Sequence, residues 1–269
     1  MHNNIMNIDV IFFDLDGTLI DDEASTLNAL TRTCQGIVEH DDIDISTLVS
    51  RVKFYSEQLL LSSAYSDYCQ EIGIGSLEAL WGRFEDQSCR MPGMKRWVSE
   101  FQVRSWELAL YDLGTRIKGL AERLSTRFSS ERRLDQAVYP DASRALEDLS
   151  ERYPLGLITN GAPDIQGEKL RISGLKKYFN TVVISGDLGK GKPEKEIFQH
   201  ALNGAATSAD RCIMVGDNLV KDIQGASNAG MAAIWINREN AGRPISELQD
   251  FEVTALTDVM DKVTDSNHV

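Results

Sequence analysis

The sequence predicts an α/β protein, in which a doubly wound parallel sheet forms the core and an all-helical domain is inserted into it. Two observations support this fold class. Residues 11–13 (Ile-Phe-Phe) form a continuous apolar run, which is typical of a strand covered on both faces in a parallel sheet. From residue 155 onward, similar short apolar runs alternate with amphipathic helical patterns, which indicates a Rossmann-like core.

The stretch that follows the first strand has a different character. Between residues 21 and 137 the strand-type apolar runs are missing, and apolar residues such as Leu27, Leu30 and Cys34 recur at helical spacing instead. We predict four to six helices here, forming an inserted domain at 21–137. The sheet-containing core is then made of residues 1–20 and 138–269. Three tryptophans are predicted to fill the core of the inserted domain: Trp81, Trp97 and Trp106.

The chain returns to the sheet after the insertion. Pro140 and Asp141 open an amphipathic helix, because four apolar residues between 142 and 149 share one face. The next strand begins at Leu155, and a helix is predicted from about Glu194. The remaining predicted strands are 181–185, 213–215 and 232–236. This alternation of strand and helix is typical of parallel sheets.

Two carboxylates follow the first predicted strand. Asp14 and Asp16 are two residues apart, so they leave the strand end facing the same way, and Gly17 then allows a sharp turn. Ligands of open parallel sheets bind beyond the carboxyl ends of the strands. Two like charges this close need a cation or a shared proton, and Mg²⁺ suits a few carboxylates combined with a substrate phosphate. The alternative is a turn in which aspartates cap backbone amides, although DxDGT directly after a buried strand disfavours it.

Other polar residues stand at the ends of later strands. Thr159 and the backbone amides after it could hold a phosphate oxygen. Lys192 lies in a glycine-broken loop before Pro193, where a lysine could neutralise a transferring phosphoryl group. Each residue also has an interpretation without a function: Thr159 as an ordinary turn residue and Lys192 as a solvated lysine.

Two more aspartates follow the 213–215 run. Asp217 is placed to join Asp14 at a metal, and Asp222 lies on the next turn or helix, where it could bond a metal-bound water. The plainer interpretation of this pair is helix capping.

These four segments, in this order, resemble the haloacid dehalogenase superfamily of phosphoryl-transfer enzymes. The resemblance rests on Asp14, Asp16, Gly17, Thr18, Thr159, Lys192, Pro193, Gly216, Asp217 and Asp222. It covers residues 8–20 and 138–237 and hardly touches the stretch between them. In that family an insertion after the first motif is a helical cap, which implies that residues 21–137 control access and the choice of substrate.

The resemblance also implies a role for each site residue. Asp14 would attack phosphorus to form an aspartyl-phosphate, while Asp16 would protonate the leaving oxygen and later activate water. Thr159 and Lys192 would join these two as catalytic residues by holding the phosphoryl group. The implied phosphate-binding residues are Gly17, Thr18, Thr159, Asn160 and Lys192. The implied Mg²⁺ ligands are Asp14, the backbone carbonyl of Asp16 and Asp217, with Asp222 in support.

The expected function is therefore a Mg²⁺-dependent phosphomonoesterase acting on a small phosphorylated metabolite. The run VVISGDLGKGKPEKEIF (182–198) is similar to the branch that holds nucleoside 5′-monophosphatases and acylneuraminate 9-phosphatases, which implies a nucleoside monophosphate or a sugar phosphate as substrate. Three alternatives stay open: a sugar-phosphate mutase, a haloacid dehalogenase and a non-catalytic phosphate-binding module. Asp16 disfavours the dehalogenase, because family members that cleave carbon–halogen bonds lack an aspartate at this position.

Composition limits the partners and the compartment. The net charge of −13, from 41 acidic and 28 basic residues, argues against a nucleic acid polymer as partner. The four cysteines show no CxxC spacing, which favours a reducing compartment. We find neither the features of a signal peptide nor a run approaching the roughly 18 apolar residues of a membrane span. A cytoplasmic location without a membrane partner is expected, and the oligomeric state is left open.

Overall fold

The computed structural model describes residues 8–35, 43–85, 90–240 and 251–266. The chain packs into two compact units. The sheet unit consists of residues 1–21, 138–160 and 173–269, and the helical unit consists of residues 22–137 and 161–172. Among the described residues, no helix is both long and apolar enough to cross a membrane. Cys34, Cys69 and Cys212 are buried, and Cys89 lies outside the described residues.

The sheet unit contains a parallel sheet, which confirms the predicted fold class. In the described part of the chain it has six strands in the order β3-β2-β1-β4-β5-β6. They are β1 (Val10–Phe13), β2 (Leu155–Thr159), β3 (Thr181–Ile184), β4 (Cys212–Gly216), β5 (Ala232–Ile236) and β6 (Phe251–Val253). The first five match the predicted strands, whereas β6 was not predicted.

The register of the sheet brings three strand ends to one place. β1 lies between β2 and β4, and Phe13 pairs with Leu157 on one side and with Val215 on the other. Phe12 pairs with Gly156, and a Cβ on that glycine would lie 2.3 Å from the Phe12 ring. Because a side chain at residue 156 would collide with the ring, glycine is required there for β1 and β2 to pair. The residues that follow β1, β2 and β4 therefore emerge side by side.

Twelve α-helices accompany the sheet in the described residues. They are α1 (Asp22–Cys34), α2 (Ile45–Leu61), α3 (Ser66–Ile72), α4 (Ser76–Ala79), α5 (Met94–Asp112), α6 (Leu120–Glu131), α7 (Ala142–Ser150), α8 (Pro163–Ser173), α9 (Ser185–Leu188), α10 (Lys195–Gly204), α11 (Gly225–Ala229) and α12 (Val259–Ser266). The two predicted helices of the core correspond to α7 and α10. A π-helical turn, Leu219–Gln224, follows β4.

The helical unit has its own hydrophobic core. Six of its helices, α1 to α6, lie in the stretch predicted to hold four to six. Trp81 and Trp106 are buried in this core and Trp97 is partly buried against it, as predicted. Ile165 on α8 also belongs to the same core cluster. Packing therefore groups most of α8 with the inserted helices.

Buried charges fasten α8 within the helical unit. The Lys169 side chain is fully buried, and its Nζ lies 3.1 Å from Asp22 Oδ1 and 2.7 Å from Glu78 Oε1. Arg132, also fully buried, forms a salt bridge with the same Asp22 and donates to Gln136 Oε1 at 3.0 Å. A buried cation is costly unless anions compensate it, so Lys169 and Arg132 must keep their acidic partners. These ion pairs connect α8 with α1, α4 and the end of α6.

Candidate active site

The turn after β1 places the first two candidate carboxylates. Leu15 is fully buried and holds the turn in the core. Asp14, directly before it, is 7% exposed, and Asp16, directly after it, is half-buried. Gly17 has a φ of +84°, and a Cβ there would lie 2.5 Å from Asp217 Oδ2. Glycine is therefore needed both for the left-handed backbone and for the close approach of Asp217.

Thr18 connects the two loops that carry carboxylates. Its hydroxyl lies 3.2 Å from Asp217 Oδ1 and 3.4 Å from Asp14 Oδ2, and it accepts a hydrogen bond from the Asp217 amide at 3.0 Å. A hydroxyl has one proton to donate, so it can bond one of the two carboxylates at a time. Thr18 was predicted to bind phosphate, and its side chain is placed to set the spacing between Asp14 and Asp217.

Lys192 lies between two aspartates. Its Nζ is 2.5 Å from Asp14 Oδ1 and 2.6 Å from Asp222 Oδ1, and the residue is 4% exposed. Burial alone would lower the pKa of Lys192, but the two carboxylates more than offset it and raise the pKa above its ordinary value. The lysine is therefore a permanent cation at the end of β1.

Asn160 holds the backbone of Lys192 at two points. Its Nδ2 donates to the Lys192 carbonyl at 2.9 Å, and its Oδ1 accepts from the Lys192 amide at 2.8 Å. Asn160 was predicted to bind phosphate because the family resemblance implies it. Thr159 ends β2 and is 1% exposed. The Asn160 side chain thus links the loop after β2 to the loop that carries the lysine.

Three aspartates form a compact group. One carboxylate oxygen from each of Asp14, Asp217 and Asp222 lies within 4.8 Å of the others. Asp222 is held by two bonds, since Oδ1 accepts from Lys192 and Oδ2 accepts from the Asn218 amide at 2.9 Å. Asp222 lies in the π-helical turn that follows β4, and π-turns are frequent at functional sites.

Two carboxylates of this group, those of Asp14 and Asp217, resist ionisation. Burial raises the pKa of Asp14 to about 6, against the opposing effect of Lys192 and with a further rise from Asp222. Burial, then the charges of Asp14 and Asp222, raise the pKa of Asp217 to about 7. The charges of Asp14 and Asp222 still act on Asp217, so Lys192 does not neutralise the whole group. An oxygen-only donor set with excess negative charge fits a hard divalent cation.

Comparison with known proteins identifies the family. The sequence model of the haloacid dehalogenase-like hydrolase family matches residues 8–230 of this chain. The chain belongs to this family. The haloacid dehalogenase resemblance that the four motifs predicted is therefore confirmed, and so is the prediction of a hydrolase.

Three similar relatives of this family member are named as phosphatases or as a nucleotidase. Phosphoserine phosphatase of Thermus thermophilus is 34% identical over 236 residues, covering 85% of this chain and 88% of the relative. N-acylneuraminate-9-phosphatase of Homo sapiens is 28% identical (87% and 84% covered). Pyrimidine 5′-nucleotidase of Escherichia coli is 29% identical (93% and 96% covered). These names are consistent with the predicted phosphoric monoester hydrolase class.

Solved structures share the fold. A 2-haloacid dehalogenase of Pseudomonas syringae aligns with a TM-score of 0.60 at 26% identity, covering 96% of this chain and 98% of the other. A haloacid dehalogenase-type hydrolase of Bacillus subtilis, solved bound to magnesium, aligns with a TM-score of 0.63 at 21% identity, covering 96% and 99%. At that identity the second structure shows the fold alone.

Two residues near the site of this haloacid dehalogenase-like hydrolase were not predicted. Trp235 on β5 donates its indole N–H to the Asp217 carbonyl at 2.8 Å, and Arg238, two residues after β5, donates to the Thr18 carbonyl at 2.8 Å. Both bonds go to the backbone of a loop that carries site residues. A residue that binds backbone leaves no motif in the sequence, so only the fold reveals these two.

Proposed function

We propose that this hydrolase is a Mg²⁺-dependent phosphomonoesterase that cleaves a small phosphorylated metabolite through an aspartyl-phosphate. The observation that carries the proposal is the buried Asp14–Lys192–Asp222 arrangement. It places a fixed cation 2.5 Å from the carboxylate of Asp14, which directly follows the central strand β1. A nucleophilic carboxylate needs to be ionised and fixed in place, and a paired lysine supports both.

The first chemical step uses Asp14 and Asp16. An oxygen of Asp14 attacks phosphorus, the bond between phosphorus and the ester oxygen breaks, and Asp16 gives its proton to the departing alkoxide. Lys192 bonds Asp14 Oδ1, which directs the carboxylate, and its charge offsets that of the phosphoryl oxygens. Thr159 and the backbone at Gly17, Thr18 and Asn160 are assigned to the phosphoryl group on the basis of their positions at the strand ends.

The second step returns the enzyme to its starting state. Asp16 takes a proton from water as the water oxygen attacks phosphorus of the aspartyl-phosphate. The bond between phosphorus and the Asp14 oxygen breaks, so that Asp14 is again a carboxylate and inorganic phosphate is released. Splitting one displacement into two lets the same pair of carboxylates serve both steps.

The donor set supports Mg²⁺ as the cofactor. We assign Asp14, the backbone carbonyl of Asp16 and Asp217 to the ion, with Asp222 supporting it through a water. Bound Mg²⁺ supplies positive charge that offsets the repulsion between the carboxylates and the substrate phosphate. The raised pKa of Asp217 supports this assignment, because its causes are burial and then the negative charges of Asp14 and Asp222.

The substrate class rests on the relatives and on the inserted helices. The named relatives act on phosphoserine, a sugar phosphate and a pyrimidine nucleotide, so we propose a small phosphate ester, with nucleoside monophosphates and sugar phosphates to be tested first. We further propose that the helical insertion between residues 21 and 137 is a cap that selects the substrate. The cytoplasmic location and the lack of nucleic acid or membrane partners stay predictions.

A leaving-group comparison tests the reaction class. Asp16→Asn should slow hydrolysis of an alkyl phosphate far more than that of an aryl phosphate, because a phenolate departs more easily without a proton. The assay measures inorganic phosphate released from both esters with Mg²⁺ present. Equal losses on both esters would remove the acid role. Conversion of a sugar 1-phosphate to its 6-phosphate without phosphate release would replace the phosphatase with a mutase, and halide release from a 2-haloacid would replace it with a dehalogenase.

A further inference from the structure

Arg238 connects β5 to the loop that carries Asp14. One amino group, Nη2, donates to the Thr18 carbonyl at 2.8 Å and lies 3.1 Å from Asp141 Oδ1, while Nη1 lies 3.2 Å from Asp141 Oδ2. The guanidinium also lies 3.8 Å from the centre of the Tyr139 ring. Arginine can satisfy all of these contacts at once because its planar fork has a fixed geometry.

The partners of Arg238 are themselves fixed. Asp141 Oδ2 accepts a second hydrogen bond, from the Leu256 amide at 2.7 Å, so the carboxylate is held from two sides. The Tyr139 amide donates to the Leu19 carbonyl at 3.1 Å, one residue beyond the carbonyl that Arg238 holds. Two successive carbonyls, Thr18 and Leu19, are thereby anchored to the sheet unit.

Thr18 is the residue through which this anchor reaches the site. Its carbonyl accepts from Arg238, while its hydroxyl lies within 3.2 Å of Asp217 Oδ1 and 3.4 Å of Asp14 Oδ2. A shift of the Thr18 backbone therefore moves the hydroxyl relative to both carboxylates. Displacements of about 1 Å in a site of this kind lower rates by as much as 100-fold.

We propose that Arg238 is a positioning residue for the reaction, which sets the spacing of Asp14 and Asp217 through Thr18. The proposal rests on the function proposed above. It assigns Arg238 no contact with substrate: the arginine holds the Thr18 carbonyl, and the Thr18 hydroxyl lies within hydrogen-bond distance of both carboxylates. Outer partners of metal-binding carboxylates typically change metal affinity or activity by 10- to 100-fold when they are removed.

The first test separates positioning from substrate binding. Arg238→Met should lower kcat on an aryl phosphate by about 10- to 100-fold and weaken Mg²⁺ binding, measured by calorimetry in the absence of substrate, by a similar factor. KM should change by less than about threefold, because Arg238 does not touch the ester. Arg238→Lys keeps the charge and loses the fork, so it should recover little of the loss. Added methylguanidinium should partly restore the turnover of Arg238→Ala.

The second test asks whether Thr18 transmits the effect. In a Thr18→Val background, Arg238→Met should lower kcat by less than about threefold, since the hydroxyl is already gone. In a Thr18→Ser background, which keeps the hydroxyl, the full loss should return. The matched control is Arg211→Met, which removes an arginine–carboxylate pair with Asp9 just before β1 and should leave kcat unchanged.

The outcomes are distinguishable. The positioning role is overturned if Arg238→Met and Arg238→Lys, both folded by circular dichroism, match the parent in kcat and in Mg²⁺ affinity. It is also overturned if the Arg238→Met loss is as large in Thr18→Val as in Thr18→Ser. Failure of the parent to hydrolyse any phosphate ester would instead remove the proposed function, whatever the variants do.

Discussion

Replacement of Asp14 by asparagine should have opposite effects on turnover and on stability. On the proposed function, Asp14→Asn removes the attacking oxygen anion, so turnover of an aryl phosphate should fall by several orders of magnitude, as for loss of other covalent nucleophiles. The same change removes a buried carboxylate that resists ionisation. We therefore expect the metal-free variant to gain stability relative to the parent as the pH rises.

The size of this gain follows from the pKa of Asp14. Burial raises it to about 6 in the folded protein from 3.8 in the unfolded chain. Because the folded pKa is the higher one, the folded state binds the proton more tightly, and the stabilisation by that proton is lost as the pH rises through about 6. The difference of about 2 in pKa corresponds to about 3 kcal/mol in total, of which about 1–2 kcal/mol falls between pH 5 and pH 8.

Urea-induced unfolding in EDTA measures this effect. The free energies of unfolding of parent and Asp14→Asn are compared at pH 5, 6, 7 and 8, and the change in their difference with pH is the observable. Asp44→Asn is the matched control. Hydrogen bonds from Ser46 and Thr47 lower the pKa of Asp44 to about 2, so its contribution is present above about pH 4 and constant from pH 5 to pH 8.

Two results would refute the reasoning about Asp14. A difference in the free energy of unfolding between Asp14→Asn and the parent that stays constant from pH 5 to pH 8 would show that burial does not raise the pKa of Asp14. A difference that changes in the opposite direction would show that Lys192 more than offsets the cost of burial. Only the change of this difference with pH tests the reasoning, because the variant also loses the hydrogen bond to Lys192.

Three further predictions concern the neighbours of Asp14. Lys192→Met should destabilise the metal-free protein by about 3–5 kcal/mol at pH 8 in urea unfolding, because buried carboxylates lose their cation; an unchanged midpoint would contradict this. Asn160→Ala should cost about 1–3 kcal/mol and lower kcat, since two bonds to the Lys192 backbone disappear. Parental kcat in that variant would show that the loop needs no such support. EDTA should abolish hydrolysis and Mg²⁺ restore it in the parent but not in Asp217→Ala; full restoration in that variant would show that another residue binds the ion.

Sequence patterns predicted the parts of the fold that depend on burial along a single strand. β1 to β5 are short apolar runs, so their positions could be read directly. β6 reads Phe-Glu-Val over 251–253, and in the part of the chain that the structure describes it lies at the edge of the sheet and pairs with β5 alone. A three-residue strand with a central glutamate has neither the length nor the apolar run that identifies a strand.

The candidate site also contains some contacts that the sequence predicts and others that it does not. Asp14, Lys192 and Asp217 could be predicted to meet, because each follows a strand and parallel strands end at one edge. The two hydrogen bonds between the Asn160 side chain and the Lys192 backbone could not be predicted, because they depend on how two loops face each other. The packing of α8 with the helical unit was equally hidden, since it depends on pairing Lys169 with acids that are distant in sequence.

The electrostatics of the site explain why it needs support from β5. Asp14 and Asp217 repel each other when ionised, and this repulsion pushes the loops after β1 and β4 apart. Trp235 and Arg238 oppose it by binding a backbone carbonyl of each loop. A carbonyl does not titrate, so its capacity to accept either bond does not change with pH. On the proposed function, Lys192 therefore sets the charge that the attacking carboxylate experiences, while residues at the end of β5 set the distance between the carboxylates.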